Sequence, residues 1–206
     1  MKNKTSLIRK IAVYAAYILL ITTFQVTFRG LFSLQGLYPD LMFVFVVLSA
    51  YMFGFKDGMI VGTMVGLLRD YFASPSITGI DGTVTATTGI GLLVMILAAS
   101  YGSSFFTLRI KRNFPMAFLT VVTATLIYKI VGHLVVFTWE NAILHHEYNI
   151  GIENALMYSI LPQTLLNMIV TIPVYLALRF IGPYFKGINP ALIDEKNRED
   201  NLWLTM

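Results

Sequence analysis

Residues 38–82 hold two apolar segments that are each too short to cross a bilayer as straight helices, yet too apolar to coat a soluble domain. Fifteen residues separate Asp40 from Lys56, and eleven separate Asp57 from Arg69. At ~1.5 Å per residue these runs cover about 22 Å and about 17 Å, against a hydrocarbon core of ~30 Å. Either polar ends are drawn into the membrane, or the pair forms a re-entrant hairpin. Crossing helices are favoured, because a bundle can shelter the adjacent charges of Arg69 and Asp70.

The rest of the chain fits a membrane setting. Of its 206 residues 56% are hydrophobic and 13% charged, where a soluble domain carries about a quarter charged residues. The apolar residues fall in blocks parted by charge clusters, which predicts spans over 11–28, 38–55, 58–73, 84–107, 115–138 and 155–180. No alternating pattern of the outer-membrane barrel kind is visible. The absence of cysteine excludes disulfides, thiolate metal sites and thiol catalysis. The net positive charge lies between apolar blocks, so it reads as membrane topology rather than nucleic-acid binding. The basic start (Lys2, Lys4, Arg9, Lys10) runs into apolar sequence with no small-residue cleavage site, and is expected to open an uncleaved first span.

Charge placement predicts the orientation. With the N-terminus inside, the cytoplasmic segments hold the four N-terminal cations, Lys56, Arg109, Lys111, Arg112, Arg179, Lys186, Lys196 and Arg198. The outer loops hold Arg29, and the segment 139–154 has three Glu and no Lys or Arg. This asymmetry follows the positive-inside rule and places both termini in the cytoplasm. The expected fold is an all-α integral membrane protein: a six-helix transmembrane bundle over 1–185 with short second and third helices. A polar cytoplasmic tail follows at 186–206. Pro162 and Pro173 should each perturb the last helix.

Several unrelated spans carry polar residues to one depth. Arg69 lies ~18 Å past Asp57 and Lys129 ~21 Å past Pro115 at helical rise. Gln25 reaches a similar level, and His133 sits one turn beyond Lys129. Gln25, Arg69, Asp70, Lys129 and His133 thus form an expected polar layer in the outer half of the bilayer. An isolated Lys there costs on the order of 3 kcal/mol. Pairing of Lys129 with Asp70 would relieve both groups, and snorkelling of Lys129 to the headgroups is the competing reading. Gln163 and Asn167, one turn apart, suit interhelical hydrogen bonding.

Small residues mark close helix approach. Gly58, Gly62 and Gly66 share one face of the third segment, a pattern that serves intramolecular packing first and a partner interface second. Ala12 with Ala16, and Ala98 with Gly102, make weaker faces of the same kind. The search for chemistry is negative. His145-His146-Glu147 fits no zinc motif, nothing fixes a separation for Asp70 and Asp81, and no phosphate loop, nucleophile elbow or dinucleotide fingerprint appears. No catalytic residue, metal ligand or cofactor is implied. The Arg109, Lys111, Arg112 turn suits topology and anionic lipid contact.

Over positions 38–82 the chain resembles the bacterial rod shape-determining protein MreD family. Pro39-Asp40-Leu41 opens a span, and Gly66-Leu67-Leu68-Arg69-Asp70 leads to a loop containing Gly79. These match the family's P-D-L start and G-L-x-x-D element, across about a quarter of the chain. The other spans match only in size, number and orientation, while the loop 139–154 and the polar tail depart from the family. The resemblance implies a non-enzymatic, multi-pass protein of the bacterial inner membrane. Its implied partner is an MreC-like periplasmic shape protein. Through it come the MreB-like filament, RodA-type glycosyltransferase and penicillin-binding transpeptidase of peptidoglycan synthesis. The alternative is the substrate-binding subunit of an energy-coupling-factor vitamin transporter. There Ala12 and Ala16 would meet the transport partner, and Gln25, Asp70, Lys129 and His133 would line a ligand pocket.

Overall fold

The computed structural model describes residues 2–27, 36–72, 76–78, 84–86, 89–107, 113–138 and 152–184. Its helices are α1 (Lys2–Thr27), α2 (Leu41–Phe53), α3 (Phe55–Phe72), α4 (Ile90–Thr107), α5 (Phe114–Thr138), α6 (Ile152–Ala155) and α7 (Leu161–Phe180). A π-helical turn, Leu156–Ile160, joins α6 to α7. The all-helical expectation needs one amendment. A short antiparallel hairpin, β1 (Ser76–Thr78) and β2 (Val84–Ala86), sets Ser76 opposite Ala86 between α3 and α4. The fourth helix therefore starts at Ile90 rather than at position 84.

The centre of the bundle is α2, where residues 42–53 are all buried. Its sequence, apolar on every side, demands this: a helix with no polar face must be surrounded. α1, α3, α4, α5 and α7 all pack against it. α2 ends at Gly54, whose φ of 92° is a conformation that residues with a Cβ rarely adopt. That one residue reverses the chain, and α3 returns antiparallel to α2.

The glycines of α3 make this compactness possible. A Cβ on Gly58 would lie 2.5 Å from the Ala50 Cβ of α2. One on Gly66 would lie 2.6 Å from the Leu92 Cα of α4, and one on Gly62 2.9 Å from the Met95 carbonyl. The three-glycine face is filled by the protein's own α2 and α4, and the partner-interface reading of it falls away. Ala98 and Gly102 are likewise buried, and Gly102 lies against the Val47 carbonyl of α2. Ala12 and Ala16 are exposed on α1.

On α1 the buried stripe is Tyr14, Ile18, Thr22 and Gln25, at helical spacing, while Leu7, Ile11, Leu19 and Leu20 face outward. Outward apolar side chains recur on α3, α4, α5 and α7, including Met64, Leu93, Leu97, Ile127, Leu134, Leu165 and Ile169. A surface this apolar, over a core that contains Gln, Asn, Thr and Asp, suits lipid rather than water. Among the described residues three helical stretches are long and apolar enough to cross a membrane: Leu7–Thr27, Phe114–Val135 and Glu153–Phe180. Leu41–Phe53 and Ile90–Ser104 are shorter apolar helices.

The last rod shows how a proline is accommodated. Pro162 has no N–H to give the turn before it. The π turn lies at that point, and the Leu161 amide reaches the Leu156 carbonyl, five residues back.

Candidate functional site: two polar clusters at opposite ends of the bundle

The first cluster surrounds the start of α2. Asp40 caps the helix by accepting from the Phe43 amide at 3.0 Å, and its other oxygen accepts from Arg69 Nη1 at 2.8 Å. The Asp40 amide donates to Asn167 Oδ1 at 2.8 Å, and the Leu41 amide to Gln25 Oε1 at 2.8 Å. Gln163 donates to the Tyr38 carbonyl at 2.9 Å and to Asn167 Oδ1 at 3.3 Å. Asn167 in turn donates to Thr125 at 3.1 Å. Amides at a helix N-terminus lack intrahelical partners. Here α1 and α7 supply acceptors, α3 supplies the counter-charge, and α5 supports Asn167. Arg69 Nη2 also reaches the Tyr128 hydroxyl at 3.4 Å.

Asp70 performs a different task. Its carboxylate accepts from the amides of Gly89 (3.0 Å), Gly91 (2.8 Å) and Leu92 (3.0 Å), which caps α4. A carboxylate at a helix N-terminus is favoured by the hydrogen bonds and by the helix dipole. The expected Asp70–Lys129 pair is therefore not formed. Asp70 holds α4, and the carboxylate paired with this layer's arginine is Asp40. Adjacent residues on a helix point about 100° apart, so Arg69 and Asp70 serve different neighbours, α2 and α4.

Depth arithmetic does gather part of the layer. Gln25, Arg69 and Lys129 line one cavity of about 270 Å³, together with Gly36, Leu37, Tyr38, Asp40, Met42, Tyr128 and Gln163. Asp70 and His133 are not among its walls. Lys129 Nζ lies 5.9 Å from the Tyr128 ring centroid, within cation–π reach.

The second cluster was not expected. Asp57 follows Lys56 between two apolar segments, where a charge would be expected to meet solvent, yet its side chain is 2% exposed. It accepts from Lys10 Nζ at 2.5 Å, from the Tyr14 hydroxyl at 2.7 Å and from the Tyr184 hydroxyl at 2.5 Å. Nearby, Arg9 donates to the Gly182 carbonyl at 3.4 Å, and Tyr17 to the Ala177 carbonyl at 2.8 Å. Burial and the neighbouring Asp57 both push the Tyr184 hydroxyl pKa well above its ordinary value. The available sequence signal was an acid in the first turn of a glycine-bearing helix, immediately ahead of the apolar run that follows Gly58.

These two clusters fix how α1, α2 and α3 run, and the Asp70 cap places the start of α4 at the Arg69 end. Gln25 meets the start of α2, and Lys10 meets Asp57 just past its end, so α1 and α2 are antiparallel over the same depth. α2 runs from the first cluster to the second, and α3 runs back from Asp57 in the second to Arg69 in the first. The segments alternate up and down through α7, and Arg9 and Gly182 meet at one end.

Among the described residues no three His, Cys, Asp or Glu side chains gather in a way that could hold a metal. Gly79, Asp81, the Arg109, Lys111, Arg112 turn, His145-His146-Glu147 and the tail 186–206 lie outside the described residues. The class defined so far is a helical bundle with a lipid-compatible exterior and two internal polar clusters. No protein-family model matches the chain, and neither a curated protein nor a solved structure shows significant similarity to it.

Proposed function

We propose that this chain is a six-span protein of the bacterial cytoplasmic membrane, with both termini inside, that acts as a non-enzymatic adaptor of the MreD type in cell elongation. It would work with an MreC-like periplasmic protein, and through it with the MreB-like filament and the RodA-type and penicillin-binding synthases. The observation that carries this reading is the use made of the two motif acids. Asp40 and Asp70 are held by helix amides and by Arg69, so the shared motif reads as a clamp on α2, α3 and α4. A clamp suits a scaffold that must keep its shape while partners dock outside it. The cationic end of α1 and the Lys56 turn share one end of the bundle, as an inside N-terminus requires.

The vitamin-transporter reading is the weaker one. Two of its four pocket residues, Asp70 and His133, are not in the cavity walls. Depletion in a rod-shaped host separates the two. Rounding of cells and misplaced peptidoglycan insertion, with co-purification of an MreC-like protein, are the expected results. Normal shape and normal insertion would exclude the adaptor role, and strong thermal stabilisation by one vitamin would favour the transporter.

A further inference from the structure

The cavity beside α2 carries unbalanced charge. Its walls hold two cations, Arg69 and Lys129, against one carboxylate, Asp40. Arg69 and Asp40 pair with one another, and each Asp40 oxygen already has a donor. Lys129 forms no ion pair among the described residues, and its contact there is the face of Tyr128. A lysine that lines a polar cavity in a bundle with a lipid-compatible exterior calls for a counter-charge. Simple snorkelling does not account for a cavity whose other walls include two amides, two phenols and an ion pair beside Gly36, Leu37 and Met42.

We propose that this cavity is a binding site for one small oxyanion of single negative charge, a carboxylate or a phosphate group, held by Lys129 and oriented by Arg69. The volume of about 270 Å³ falls just below the ~300–1,000 Å³ of ordinary small-molecule pockets. It therefore suits a compact anion or the headgroup of a larger molecule rather than an extended ligand. Tyr38, Tyr128 and Met42 supply the less polar walls against which a short organic stem can lie. The oxyanion can come from a free solute or from the phosphodiester of a lipid headgroup. This inference does not depend on the adaptor role.

The test uses the full-length protein in neutral detergent and in nanodiscs. Acetate and inorganic phosphate are titrated against chloride at matched ionic strength, and melting is followed. Phosphatidylcholine nanodiscs are compared with ones containing phosphatidylglycerol. A bound anion at a hundredfold excess over its Kd should raise the Tm by roughly 5 °C or more, and Lys129→Met should abolish the rise. A rise with acetate or phosphate assigns a free solute. A rise confined to phosphatidylglycerol assigns a headgroup. No rise beyond chloride in any arm, or an equal rise in Lys129→Met, overturns the site. Should Lys129→Met fail to fold, acylation of Lys129 in the wild-type protein is read by mass spectrometry. The anion should slow it several-fold, and an unchanged rate overturns the proposal.

Discussion

Arg69 on α3 donates to Asp40 at the head of α2 across 2.8 Å, with 21% and 15% of the two side chains exposed. The pair closes the antiparallel hairpin at the end opposite Gly54. Because Asp40 is also the α2 cap, one carboxylate sets both where α2 begins and which face α3 turns toward it.

Removing one partner leaves the other charge poorly solvated. Arg69→Gln and Asp40→Asn should each destabilise the protein, by roughly 3 kcal/mol, with less loss if water enters the cavity. A double-mutant cycle on the two should show a coupling of about 1 kcal/mol or more. The same cycle on Asp70 and Lys129 should be additive, because each has different partners. Unfolding in mixed micelles measures both, and strong coupling of Asp70 with Lys129 would contradict the structure.

The Asp70 cap predicts a graded response. Asp70→Ala should cost about 1–2 kcal/mol, as lost N-caps do, and Asp70→Asn less, since an amide oxygen still accepts. Amide exchange at Gly89, Gly91 and Leu92 should accelerate most in the alanine variant. Unchanged protection there would show that the cap contributes nothing.

Apolar blocks, turn charges and glycine spacing made the helices and their order legible, because those features depend on local chemistry and on depth. Depth also brought Gln25, Arg69 and Lys129 to one layer. Azimuth was not legible. Whether Arg69 or Asp70 faces α2 depends on which helices are neighbours, and rise per residue carries no such information. Asp57 was missed for a related reason. Its three donors come from Lys10, Tyr14 and Tyr184, far apart in sequence, and a charge beside a turn looks solvated until those elements close over it.

Glycine substitutions separate packing from propensity. Gly66→Ala would push a methyl group against the Leu92 backbone, and Gly62→Ala against the Met95 carbonyl. Each should destabilise by about 1–3 kcal/mol, as overpacking does. Gly132→Ala on α5 meets nothing within 4 Å, and should stabilise by up to ~1 kcal/mol through helix propensity. Thermal unfolding of the three variants should therefore split in sign.

The Asp57 cluster ties the start of α1 to the chain just beyond α7, so loosening it should free α1. The protein has no cysteine, which makes paired labels straightforward. Spin labels at exposed Ala12 and Ile181 should give a narrow distance distribution in the parent and a broad one in Asp57→Asn. An unchanged distribution would mean that α1 is held by its apolar stripe alone. The Tyr184 hydroxyl adds a dependence on pH. Burial and Asp57 raise its pKa in the folded protein, so above about pH 10 the unfolded chain releases this proton while the folded one retains it. The unfolded state then binds fewer protons, and stability falls as pH rises. Its contribution is complete at neutral pH and declines in the alkaline range. Tyr184→Phe should lower stability at pH 8 and flatten part of that alkaline decline. Identical slopes in the two proteins would show that Tyr184 does not hold its proton against Asp57.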